Sequence, residues 1–204
     1  MFIQVIQGHA INPDGIHAEL DRWKAELQPG ATGWLGSTAG VTDDGRFIAV
    51  VRFESEELAR RNSDRPEQGA WWHAAAAHLA EVVFHNSPRV HTYQGGRSDA
   101  ARFVQVIQGH TEDMERLAAL GRAQEAVLAR QAPHILGMTV AEHAEGAGDF
   151  TQTVYFTSEA DGRQFERERP ADQDPAMAEL FGLMSDLRYF DLRDPWLDSP
   201  RVAS

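Results

Sequence analysis

The chain has no cysteine among its 204 residues. Disulfides, thiolate nucleophiles, CxxC zinc sites and cysteine-held clusters are therefore excluded. It also lacks any apolar run near the ~18–20 residues a membrane-crossing helix needs, so no membrane association is expected. The opening MFIQVIQGHA carries no basic stretch ahead of its apolar residues and does not read as a secretory signal. Positive charge is scarce: Lys and Arg number 19 against 31 Asp and Glu, a net charge of −12. That balance repels phosphate backbones and no basic stripe relieves it, so nucleic acid is not an expected partner. Phosphate loops, nucleophile elbows and dinucleotide fingerprints are missing. His73 and His78, five residues apart, fall on different sides of a helix, where shared metal ligation needs four. No metal site is expected. What remains is 42% hydrophobic and 25% charged, the composition of a folded, cytoplasmic protein of one large domain or two small ones.

What is present is repetition. Residues 2–9 read FIQVIQGH and residues 103–110 read FVQVIQGH, an offset of 101. Leu35, Gly36 and Thr38 match Leu136, Gly137 and Thr139 in the same register. After a two-residue insertion, Phe47, Val51, Phe53, Ser55 and Glu56 match Phe150, Val154, Phe156, Ser158 and Glu159, and Arg65-Pro66 later matches Arg169-Pro170. The chain reads as a tandem duplication with units at 1–94 and 102–204, the second ending in a C-terminal tail. A small, polar linker at 95–101 joins them.

Both units carry the same elements. An opening strand at 2–9 is followed by Asn12-Pro13-Asp14, which supplies a cap, a proline in the first helical turn and an acidic start. Ile16, Leu20, Trp23 and Leu27 then form one helical stripe. Strands at 33–41 and 46–53 flank the turn Asp43-Asp44-Gly45. Ser55 caps a second helix, which Pro66 interrupts, and a strand returns at 81–86. The second unit gives strand 103–110, helix 112–130, strands 134–142 and 149–156, a broken helix over 159–184 and strand 186–191. The mixed charges at 164–174 read as a solvated helix break. Gly36 and Gly137 lie in strands and suggest a bulge or a close backbone approach. The order βαββαβ is the split βαβ, ferredoxin-like pattern. The expected fold is α+β: two tandem ferredoxin-like units whose antiparallel sheets pack face to face as a pseudo-dimeric α/β barrel.

The FIQVIQGH strand, the βαββαβ order and the segment Arg65-Pro66-Glu67-Gln68-Gly69-Ala70-Trp71-Trp72 together resemble the dimeric α/β-barrel superfamily, in its antibiotic-biosynthesis-monooxygenase-like branch. The resemblance covers nearly the whole chain, once per repeat. It implies a cofactor-independent monooxygenase acting on an aromatic or polyketide-like small molecule, or else a noncatalytic small-ligand-binding or interaction module. Members of the group pair two subunits. Here the pair is expected within one chain, which leaves a further homodimer open, and a lone 22.7 kDa species in light scattering would exclude an obligatory exchange between chains. Haem-degrading members use an asparagine on the first strand and a histidine beyond the tryptophan. This chain has glutamines on that strand and Glu81 and Val82 beyond the tryptophans, so no cofactor is expected.

Strand periodicity divides the candidate residues. Phe47, Val51 and Phe53, like Phe150, Val154 and Phe156, belong to a face expected to pack on helices. The other face carries Ile48, Val50 and Arg52 in the first unit against Thr151, Thr153 and Tyr155 in the second, and is expected to line an asymmetric pocket between the sheets. His9 and His110, ending the two opening strands, are the candidate general bases. Asn62, Trp71, Trp72 and Arg89 are of the types that the resemblance implies around a polycyclic phenol. Trp72 falls opposite Met177, so the tryptophan pair is not duplicated.

Overall fold

The computed structural model describes residues 1–168 and 174–200. The Arg169-Pro170 match and part of the 164–174 stretch lie outside the described residues. Two compact units emerge: Met1–Pro88 with the segment beginning at Trp196, and Arg89–Pro195.

In the first unit, β1 (Phe2–Ala10), β2 (Trp34–Val41), β3 (Arg46–Phe53) and β4 (Leu79–Ser87) form an antiparallel sheet in the order β2-β3-β1-β4, the ferredoxin-like order. Its helices are α1 (Pro13–Glu26), α2 (Glu56–Ser63) and α3 (Pro66–Ala76). The caps are those the sequence offers. Asn12 accepts the Gly15 amide at 3.0 Å and Ser55 accepts the Leu58 amide at 3.2 Å. Pro66 opens α3 because its missing N–H costs nothing in a first turn.

The second unit repeats the plan. Strands β6 (Phe103–His110), β7 (Ile135–Glu142), β8 (Asp149–Phe156) and β9 (Ser185–Leu192) run in the order β7-β8-β6-β9. They are accompanied by α4 (Met114–Gln131), α5 (Glu159–Glu168) and α6 (Pro175–Gly182). The units share even their irregularities. The register slips between Gln7 and His9 on β1 and between Gln108 and His110 on β6. The facing strands absorb each slip at a non-glycine residue of positive φ, Glu81 at 53° and Asp186 at 53°. Register also shifts at Gly36 and at Gly137, the bulge that glycine in a strand suggests.

Two strands depart from the expected plan. β5 (Arg89–Tyr93) follows Pro88 and pairs with β7, and β10 (Trp196–Asp198) follows Pro195 and pairs with β2. Each sheet thus has five strands. The division therefore falls at Pro88 rather than at Gln94, and the expected linker 95–101 lies inside the second unit. The reason is hydrogen bonding. Residues 89–93 continue as a ladder on β7 instead of leaving the sheet, and the chain's last strand closes the first unit's sheet instead of trailing from the second.

Candidate functional site

The faces that meet the helices separate the two units chemically. In the first, Ile16 and Leu27 from the α1 side, Phe47 and Ala49 from β3, and Trp71 and Ala75 from α3 form one buried cluster, with Trp23, Trp72 and Trp196 packed against it. The chain's five tryptophans, Trp23, Trp34, Trp71, Trp72 and Trp196, all belong to this unit. Trp71 is buried and its Nε1 donates to the Glu19 carbonyl at 2.8 Å. Trp196 stacks on His17 with ring centroids 4.2 Å apart. Lys24 and Asp198 form an ion pair between α1 and β10.

The second unit holds a cavity of about 390 Å³ on the corresponding side. Its floor is one face of the sheet: Gln105 and Ile107 of β6, Met138 and Val140 of β7, and Phe150, Gln152, Val154 and Phe156 of β8. Met114, Leu117, Ala118, Gly121, Glu125 and Leu128 of α4 make a wall, continued by Met177, Leu180 and Phe181 of α6. Tyr93 of β5 and Tyr189 of β9 enter from opposite edges of the sheet. Four of the chain's five methionines, all but Met1, line this space.

Sequence differences between the repeats account for the contrast. In the 101-residue register Leu20 corresponds to Gly121 and Trp23 to Gln124. A larger side chain at 121 requires the Tyr93 ring to move, because a Cβ there would lie 2.8 Å from its Cζ and Oη. The glycine lets the Tyr93 ring lie against α4, where its hydroxyl reaches toward the Ala118 carbonyl at 3.4 Å.

The polar groups of the lining are three glutamines, two tyrosines and two glutamates. Gln105, only 5% exposed, donates through Nε2 to Glu166 at 2.8 Å and to Asp191 at 2.9 Å. Glu125 accepts the Gln94 amide at 2.6 Å, while the buried Gln94 Nε2 has no hydrogen-bond partner among the described residues. Burial pushes the Tyr93 hydroxyl pKa up, and Glu125 adds to that against the opposing Arg122. Tyr189 shifts the same way, through burial first and then Glu166 and Asp191. Among the described residues no histidine, lysine or arginine lines the cavity. Among the described residues no group of three or more His, Cys, Asp or Glu could hold a metal ion, and no helix is long and apolar enough to cross a membrane.

None of the ten residues singled out from sequence lines this cavity. Phe150, Val154 and Phe156 do face helices, as expected, but the cavity opens on that face. Thr151, Thr153 and Tyr155 lie on the other face of β8 and are fully or almost fully buried. Thr151 Oγ1 contacts His143 Nε2 at 2.8 Å, and the Thr153 hydroxyl has no partner among the described residues. Arg52 is buried and donates to Thr38 Oγ1 at 3.1 Å. Asn62 accepts from Arg65 at 2.9 Å, a contact that steadies the junction of α2 and α3. Trp72 packs edge-on against Phe84. Arg89 is exposed and paired with Glu142 of β7, which also meets His91 at 2.8 Å. His9 is exposed at the end of β1.

His110 is held by Asp149, with Nδ1 2.9 Å from Oδ1. That hydrogen bond raises its pKa, with Glu112 and Asp186 adding to the effect against some desolvation. A raised histidine stabilises the folded state fully below its unfolded value of about 6.5 and loses that contribution as pH rises through the folded value. An NMR titration is expected to place His110 above the ordinary histidine value, and Asp149→Asn to lower it.

No family model and no curated protein matches the chain. Solved structures do. A candidate monooxygenase from Fusobacterium nucleatum superposes with a TM-score of 0.74 at 9% identity, covering 97% of this chain and 94% of that one. A candidate monooxygenase from Lactobacillus acidophilus NCFM gives 0.69 at 11% identity, over 97% and 99%. An anthrone oxidase-like protein gives 0.69 at 15% identity, over 100% and 95%. The chain is an α+β protein with two antiparallel sheets, and its fold is that of these solved structures.

Proposed function

We propose that the chain is a monooxygenase-like protein that encloses an aromatic or polyketide-like small molecule in the helix-facing cavity of its second unit. The cavity itself carries the reading. Phenylalanine and methionine walls with a few polar groups suit a flat, polarizable ligand. The first unit's tryptophans occupy the corresponding face, so one unit serves as scaffold and the other as site.

A reaction needing no cofactor would draw its electrons from the substrate. The net change that fits is an activated ring CH2 plus dioxygen going to C=O plus water, with the Glu166 carboxylate as proton acceptor. A noncatalytic binding role is the second reading. It is favoured by the lining, where burial first and neighbouring carboxylates second raise the pKa of both tyrosine hydroxyls and disfavour a phenolate.

Thermal shift and oxygen uptake with polycyclic phenols bearing an activated CH2 test both readings. A rise in Tm with one dioxygen consumed per product supports the monooxygenase, since ligand bound to the native state raises stability. A rise in Tm without oxygen uptake leaves the binding role. No rise with any of them overturns both.

A further inference from the structure

Among the described residues the cavity lining carries negative charge at two places and positive charge at none. Glu125 is half-buried on α4, and Glu166 on α5 lines the cavity beside Gln105 and Tyr189. Nearby guanidiniums are already engaged or lie outside. Arg163 is not in the lining. It pairs with Asp191, Glu166 and Glu159, and lies over the Phe103 ring at 5.2 Å. Arg193 bridges to Glu159 as well, so two guanidiniums serve three carboxylates around this wall. Arg122 lies outside the lining beside Glu125 on α4.

We propose that this cavity sorts ligands by charge, accepting apolar aromatic molecules that are cationic or neutral hydrogen-bond donors and refusing those that bear a carboxylate or phosphate. The proposal rests on the cavity being the binding site, as argued above. An anion entering would meet the half-buried Glu125 and the solvent-exposed Glu166, whose charge Arg163 partly offsets from outside the lining, and no cation among the described lining residues would receive it. A protonated amine or a phenolic O–H would find a carboxylate acceptor instead. The chain's net charge of −12 acts in the same direction from a distance. Free fatty acids, acyl-phosphates and nucleotide-linked substrates are therefore outside the ligand class, while aromatic amines and their neutral alcohol or phenol counterparts are inside it.

Three naphthalenes of one shape test this by calorimetry near pH ~7, where their head groups CH2NH3+, CH2OH and COO− differ in charge. The amine is expected to bind at least as tightly as the alcohol, and the carboxylate about tenfold or more weaker, a preference that shrinks as salt is added. Glu166→Gln and Glu125→Gln should each narrow the gap between amine and carboxylate. Both side chains are at least partly exposed, so neither change should unfold the unit. Carboxylate binding equal to or tighter than amine binding, or a gap unmoved by both variants, overturns the charge selection and leaves the cavity as a site. Failure of all three probes to bind overturns the site and the selection with it.

Discussion

Gly121→Leu should abolish ligand binding in the second unit while leaving the protein folded. A Cβ at this position would lie 2.8 Å from the Tyr93 ring, so Tyr93 must leave its buried place against α4. The leucine then enters the space that Leu20 fills in the first unit. Two stability terms oppose each other. Overpacking costs about 1–3 kcal/mol, and replacing a helical glycine returns about 1 kcal/mol. The net change is small against the 5–15 kcal/mol typical of folded domains, taken as about that order here. Affinity has no such compensation, and a loss of about hundredfold or more is expected, equivalent to ~2.7 kcal/mol. Calorimetry with whichever polycyclic phenol raises Tm, together with urea unfolding, measures both quantities. An affinity unchanged by the leucine would mean that the ligand binds elsewhere.

Trp71→Ala is expected to act in the opposite way, with a large loss of stability and no change in the ligand site. Trp71 is 6% exposed, its ring lies 6.4 Å from Trp23 and 6.0 Å from Trp72, and its Nε1 donates to Glu19. Truncating a buried tryptophan costs about 3–5 kcal/mol, because the cavity left behind collapses only in part. Trp71→Phe keeps most of the volume and loses the hydrogen bond, for about 1–2 kcal/mol. Urea unfolding followed by circular dichroism tests the order wild type, Phe, Ala. The phenylalanine variant carries the functional test. If it weakens ligand binding as well, Trp71 touches the ligand and the first unit is more than a scaffold.

The sequence displays the repeated elements because local chemistry suffices for them. Strands β6 and β8 span the very residues expected, Phe103–His110 and Asp149–Phe156, since alternation and flanking turns are visible within a few residues. Asn12 and Ser55 cap as their side chains require. β5 and β10 were illegible for a different reason. They are short, each follows a proline, and each becomes a strand only because a distant partner, β7 or β2, offers an unpaired edge. The cavity was hidden by an assumption of periodicity, that an apolar strand face beneath helices is filled. Whether it is filled depends on the opposing helix, where Gly121 replaces Leu20 and Gln124 replaces Trp23. The segregation of tryptophan into one repeat and methionine into the other was open to inspection throughout. Glu166 is indistinct in sequence because it sits in a run of mixed charges, and only α5 lying beside β6 brings it to Gln105.

The placement of β10 has a consequence for biosynthesis. The strand that completes the first unit's sheet, with Trp196 on His17 and Asp198 on Lys24, is made only after the whole second unit. At about 5–20 residues per second, the hundred-odd residues between Pro88 and Trp196 delay it by roughly 5–20 s. During that interval β2 presents an unpaired edge, the feature most prone to pair with a neighbouring nascent chain. The second unit carries its own fifth strand at its N-terminal end and meets no such delay. On a polysome, then, the half of the protein made first is the half finished last.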